Sequence, residues 1–207
     1  PAPDGPTLAE VGDVTITDAG GATIASADGN QLSAGDVVTT GSTPATLLFE
    51  DGSIIRLAAA SEFEVGADNR GVLHAGRAWN RVAPQPAADG FVVATAAGTV
   101  TAKGTAFVLD CTVDPSMCGI TVLEGTVELS DGSMTGEITA PATTNVLEGL
   151  TGVSLPINWD MAFGDPFVLE SANLDAALNP EFVTADVLGE QLGASFASVE
   201  GSYLALR

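Results

Sequence analysis

From Leu8 to about Leu155 the chain consists of short runs of Val, Ile, Thr, Leu and Ala in polar alternation, broken by Gly or Asp-Gly. The breaks recur at intervals of roughly ten residues, the spacing expected of an all-β domain built from short strands and tight corners. Val14-Thr-Ile16 and Thr23-Ile24-Ala25 flank Asp18-Ala-Gly-Gly21, and Asp28-Gly-Asn30 leads to Leu32 and then Gly35-Asp36-Val-Val38. Each Asp-Gly or Gly-Gly supplies the positive φ that a tight turn needs. The clearest hairpin has arms Ala45–Glu50 and Ser53–Leu57 about Asp51-Gly52, where Asp-Gly between alternating apolar arms predicts a type I′ turn. Leu129-Ser-Asp131-Gly-Ser133-Met looks like a weak repeat of the same unit. The expected architecture is mainly β: an irregular solenoid-like or sandwich stack of short antiparallel strands and hairpins.

Two flanking segments read differently. Residues 1–7, beginning Pro-Ala-Pro-Asp-Gly-Pro, have linker composition and neither the charged nor the apolar region of a signal peptide, so an upstream segment is expected to have been removed. Past Pro156 the texture becomes helical. Asp165-Pro166 sets an N-cap and a first-turn proline ahead of Phe167, Leu174 and Leu178. Asn179-Pro180-Glu181 repeats the device ahead of Phe182, Val183, Val187, Leu188 and Leu192, with Gly193 as the stop. Residues 8–155 are thus expected to form the β domain, and 156–207 a C-terminal extension of two short helices packing on or beside it, ending in an apolar extended piece at Ser202–Leu206.

Charge narrows the function. Twenty-seven Asp and Glu stand against six Lys and Arg, a net charge of −21, and no basic residue occurs between Gly104 and Leu206. Nucleic acid and anionic lipid are therefore excluded as partners, because affinity for phosphates comes from clustered Lys and Arg. No apolar run is long enough to span a bilayer, so no membrane insertion of this segment is expected.

Cys111 and Cys118 have six residues between them and sit between two alternating apolar runs. Zinc would need four Cys or His ligands, and the chain adds only His74 to this pair. The spacing also excludes a redox Cys-x-x-Cys. The expectation is a disulfide closing a short loop, with two free buried thiols as the alternative. A disulfide implies an oxidising, extracytoplasmic compartment: secreted, periplasmic or at the cell surface. The loop holds Asp114-Pro115-Ser116, a turn, and ends in Met117; a stapled tip of this kind is a candidate partner contact through Asp114, Ser116 and Met117.

Catalytic chemistry finds little support. His74 is the single histidine, in a strand-like run beside Gly76, and no Gly-x-Ser-x-Gly elbow accompanies it. A glycosidase carboxylate pair would be expected with aromatic sugar platforms, of which Trp79 and Trp159 are the only tryptophans, and Trp79 reads as core packing. Nucleotide binding fails for want of a phosphate loop, Lys103 being the sole lysine. Calcium is the one cation worth weighing, given the oxygen ligands of Asp28-Gly-Asn30, Asp51-Gly-Ser53, Asp114 and Asp131-Gly-Ser133. Turn chemistry explains those residues equally well, and no cofactor is expected.

Read in order, several blocks resemble the FecR domain. They are Leu32-x-x-Gly35-Asp36-x-Val38, Ala45-x-Leu-Leu-Phe49-x-Asp51-Gly52-Ser53-x-x-Arg-Leu57, Gly71-Val-Leu-His-Ala-Gly76-Arg-Ala-Trp79, Gly104-Thr105-x-Phe107 and Glu124-Gly125-x-Val127. The resemblance covers about Leu32 to Leu129, and Gly104-Thr-x-Phe and Glu124-Gly-x-Val are its most specific parts. It implies a solenoid-like β fold and an extracytoplasmic sensor. The chain shows no sigma-binding segment, so the expected function is a non-enzymatic FecR-like module that recognises a protein partner or ligand in cell-envelope signalling. The alternative is a structural or adhesive surface domain with an acidic, calcium-binding face.

Overall fold

A computed structural model describes residues 5–9, 12–84, 90–114, 116–140, 142–146, 155–156 and 164–178. The chain divides into two compact units, Pro1–Pro156 and Ile157–Arg207. The first unit is built from strands β1 (Thr7–Ala9), β2 (Val14–Thr17), β3 (Thr23–Ile24), β4 (Val37–Thr40), β5 (Ala45–Leu48), β6 (Ile54–Leu57), β7 (Glu62–Val65) and β8 (Arg70–Arg81). It continues through β9 (Phe91–Thr95), β10 (Gly98–Ala102), β11 (Ala106–Asp114), β12 (Met117–Glu124), β13 (Thr126–Ser130), β14 (Thr135–Thr139), β15 (Ala142–Val146) and β16 (Leu155–Pro156). The expected mainly β architecture is what the chain adopts, and antiparallel pairing dominates it.

The strands form two sheets that share β8. Sheet I runs β1-β5-β6-β8-β11-β12-β15-β16, using the C-terminal half of β8. Sheet II runs β3-β2-β4-β7-β8-β9-β10-β13-β14, using the N-terminal half. The one parallel pair among these is β8 with β9. Three of the places where the chain changes sheet, inside β8, between β10 and β11, and between β12 and β13, hold a glycine of positive φ: Gly76, Gly104 and Gly125. Strands that switch sheets need such corners, and glycine takes them without a Cβ penalty.

The two inner faces enclose one apolar cluster that includes Leu8, Ile16, Leu47, Phe63, Phe91, Phe107 and Ile120, all fully buried. Burial of each such side chain stabilises by about 1.5–3 kcal/mol. Phe49, at the end of β5, meets Phe91, at the start of β9, edge to face with ring centroids 4.9 Å apart. That contact joins sheet I to sheet II and adds about 0.5–1.5 kcal/mol beyond its area.

Three expectations change in detail. The Asp51-Gly52 turn is not type I′: Gly52 N donates to Phe49 O (3.0 Å) and Phe49 N to Ser53 O (2.9 Å), and Gly52 alone in the loop has positive φ. It is a three-residue loop, a type I turn closed by a glycine bulge, which frees Asp51 to accept hydrogen bonds from Ser53. The related Asp131-Gly-Ser turn lies in sheet II and is closed by Asp131 N donating to Met134 O (3.3 Å), inside which only Gly132 and Ser133 lie, so the two hairpins share turn chemistry but not loop length. At the N-terminus, Gly5 and Pro6 are buried and bonded to Leu32, so packed structure begins inside the expected linker; residues 1–4 lie outside the described residues.

In the second unit, helix α1 (Pro166–Leu178) starts as expected, with Asp165 Oδ1 accepting from Phe167 N at 2.9 Å. Its buried residues are Val168, Ser171, Ala172 and Asp175, while Phe167 and Leu174 are half-buried. The second helix at 180–193, the extended end at 202–206 and Trp159 lie outside the described residues.

Candidate functional site

The motif residues separate into corners, turn tips and one face of sheet I. Gly35 (φ +90°) donates to Val65 O at 2.7 Å, and Asp36 is buried with Oδ2 accepting from Ser33 N at 2.8 Å; together they shape the entry to β4. Asp51 accepts from Ser53 N (2.8 Å), Ser53 Oγ (3.0 Å) and Asn69 Nδ2 (3.1 Å), while Ser53 Oγ accepts from Ala83 N at 3.0 Å. The β5–β6 tip is thereby tied to the end of β8.

Gly76 is the corner of β8. A Cβ there would lie 2.5 Å from Ser61 Cα, and Ser61 Oγ fills the space by donating to Arg77 O and accepting from Arg77 N. Just before it, the register shift between Glu62/Ala75 and Phe63/Leu73 leaves His74 as the extra residue of a bulge. His74 Nε2 meets Glu64 Oε2 at 3.0 Å on the exposed surface, so the lone histidine is engaged with a strand neighbour.

The bulge inverts the alternation of β8. Before it Leu73 points inward; after it Ala78 and Val82 do, and Arg77, Trp79 and Arg81 share the outer face of sheet I. Trp79 is 2% exposed, and Arg56, its partner on β6, is also buried on this face. Trp79 is therefore buried as expected of packing, but outside the inter-sheet cluster. Arg77 Nε pairs with Asp110 Oδ2 at 3.1 Å. Arg81 reaches across Ala106, its partner on β11, to the Glu124 carboxylate on β12. Ala106 is small enough to be crossed. Neither pair was singled out from the sequence, although the i, i+2, i+4 spacing of Arg77, Trp79 and Arg81 marks one strand face.

Gly104-Thr105 and Glu124-Gly125, the two most specific blocks, meet at one end of sheet I. Thr105 and Val82 exchange backbone hydrogen bonds (2.9 and 3.2 Å), and Phe107 is fully buried beneath them.

The stapled loop lies at the opposite end of β11. Cys111 and Cys118 form a disulfide across β11 and β12 and are both buried. The partner-contact residues expected here are brought together: Asp114 pairs with Met117, and Asp114 Oδ1 accepts from Ser116 N (2.9 Å) and Ser116 Oγ (2.8 Å). The Ser116 backbone N–H, followed by its hydroxyl, holds the Asp114 carboxyl below the usual carboxylate range. Asp131 is lowered similarly, by the backbone N–H groups of Met134 and Ser133 and then the Ser133 hydroxyl. What sequence reading missed is Val113, which is 87% exposed. Among the described residues no group of three or more His, Cys, Asp or Glu converges as a metal site.

Residues 36–128 match the family model described as FecR protein. No curated protein matches the chain. Among solved structures, two crystal structures of a candidate anti-sigma factor from Parabacteroides distasonis are similar. One is 14% identical over 63% of this chain and 64% of that chain, with TM-score 0.52. The other is 16% identical over 59% of each, with TM-score 0.48. The chain spans about three fifths of the length of those structures, and the likeness is one of fold.

Proposed function

We propose that this chain, which carries a FecR domain over residues 36–128, is a non-enzymatic module that works outside the cytoplasm and recognises a protein partner in envelope signalling. The family match carries the reading, since the FecR family is regulatory rather than catalytic. The Cys111–Cys118 disulfide supports the compartment, because such bonds persist where thiols are not kept reduced. The charge of −21 supports a protein partner over nucleic acid or anionic lipid. No helix among the described residues is long and apolar enough to cross a membrane.

The test deletes the gene in its native host and restores it in exported or cytoplasm-retained form, with transcripts profiled throughout. A limited set of transcripts should change on deletion and recover only with the exported form. Alkylation in intact cells should find Cys111 and Cys118 protected until a reductant is added. Recovery with the cytoplasmic form, or free thiols in cells, would overturn the proposal.

A further inference from the structure

The loop between β11 and β12 is held in one shape by more than its disulfide. Between the Asp110/Gly119 and Asp114/Met117 pairs the register shifts by two, so β11 carries Thr112 and Val113 as an outward bulge. Asp110 Oδ1 accepts from Thr112 N and Thr112 Oγ1, and Asp114 fixes the far side through Ser116. The group displayed by this construction is apolar: Val113 is 87% exposed and Met117 43%. Four large hydrophobic residues are exposed among the described residues, Ile24, Val113, Met117 and Met134, and two of them share this tip.

Single exposed apolar residues are ordinary on a protein surface. Two of them on an element stapled by a buried disulfide are placed for insertion, because a preorganised tip loses little conformational entropy on binding. The charge around the tip specifies what receives it. The Arg77 charge is met by Asp110, Asp114 remains ionised beside Met117, and no Lys or Arg occurs from Gly104 to Leu206. Resting on the reading of the chain as a recognition module, we infer that the Cys111–Cys118 tip is its docking element. Its occupant is a partner protein with an apolar pocket for Val113 and Met117, rimmed by Lys or Arg.

The test uses the exported chain in its native host with a photo-crosslinking residue at position 117. One discrete protein adduct is expected, its crosslinked peptide lining an apolar pocket with basic neighbours. Its yield should fall tenfold or more with Val113→Asp, severalfold with the milder Val113→Ser, and progressively with added salt. Both variants should melt with the parent, since Val113 is almost wholly exposed. An adduct indifferent to both substitutions, or no adduct at 117, overturns the tip as docking element. Photo-residues at Thr39 and Glu137 on sheet II separate the two readings. An adduct there, with the exported form still restoring transcription, leaves the module reading standing, whereas no adduct at any position and no restoration removes both.

Discussion

Gly125 packs against the backbone of Gly104, twenty-one residues earlier: a Cβ built on Gly125 would lie 2.7 Å from the Gly104 carbonyl oxygen and 2.8 Å from Thr105 Cγ2. Gly125 also has φ +79°. Gly125→Ala should therefore combine left-handed strain of about 1–2 kcal/mol with a backbone clash of about 1–3 kcal/mol. The melting temperature of the β unit should fall by roughly 4–20 °C, using about 2–4 °C per kcal/mol for a chain of this size. Gly132 is the control: its φ is +88°, but nothing lies within 4 Å of its virtual Cβ. Gly132→Ala should lower the melting temperature by only a few degrees, and equal losses at the two sites would refute the close-packing argument.

Arg81 and Glu124 make the second testable pair. The Arg81 side chain is 4% exposed, whereas Glu124 is 42% exposed. Removing one partner of a fully buried pair costs about 3–5 kcal/mol. Water reaches Glu124 and screens the charge left behind, so Glu124→Gln should cost about 1–2 kcal/mol. In a double-mutant cycle by urea unfolding, Arg81→Met should cost less in the Glu124→Gln background than in the parent. Strict additivity would mean that the pair contributes nothing.

The parts of this fold readable in advance are those where alternation and a glycine corner agree. The β5–β6 arms, the α1 cap at Asp165 and the closed Cys111–Cys118 loop depend on neighbours close in sequence, so local chemistry identifies them. The outer face of sheet I was hidden, because one bulge at His74 inverts the alternation of β8. Without that inversion, Arg81 would point into the core and could not meet Glu124. A bulge leaves no mark in composition, and a separate two-residue slip at Thr112 and Val113 concealed the exposed valine. On α1 the buried positions are Val168, Ser171, Ala172 and Asp175, whereas the larger Phe167 and Leu174 are half-buried, a difference that side-chain type alone does not announce.

Opening the disulfide tests how much the stapled loop contributes to stability. For a sequence separation of seven, chain-entropy arguments give about 2–3 kcal/mol. Replacing both Cys111 and Cys118 with Ala should lower the urea midpoint correspondingly and leave the far-ultraviolet spectrum of the folded state unchanged. Addition of reductant should reproduce the shift in the parent and have no effect on the double variant.

Asp131 ties stability to pH in a fixed direction. Its folded carboxyl lies below the ordinary value of 3.8 because turn N–H groups favour the ionised form. A depressed folded pKa stabilises above the unfolded pKa, and the contribution disappears as pH falls through the folded one. Asp131→Asn cannot supply that term, so the stability difference between parent and variant should be greatest near pH 7. Urea unfolding at stepwise lower pH should show the difference narrowing below about pH 4. A gap that widens on acidification would reverse the assignment.

Calcium is the final test of what the acidic turns are for. Asp51, Asp114 and Asp131 each accept hydrogen bonds from the serine two residues on, through both its backbone N–H and its hydroxyl. An ion would have to displace those donors, and the carboxylates stand at separate hairpin tips, whereas Ca2+ takes 6–8 oxygen ligands at one point. Titrating calcium at fixed ionic strength should therefore leave the melting temperature unchanged, with or without EDTA. A saturable rise abolished by EDTA would mean that an ion binds the folded state alone, since such binding raises stability by mass action. It would move the acidic residues from turn chemistry to ligation and favour a calcium-dependent surface domain over the recognition module.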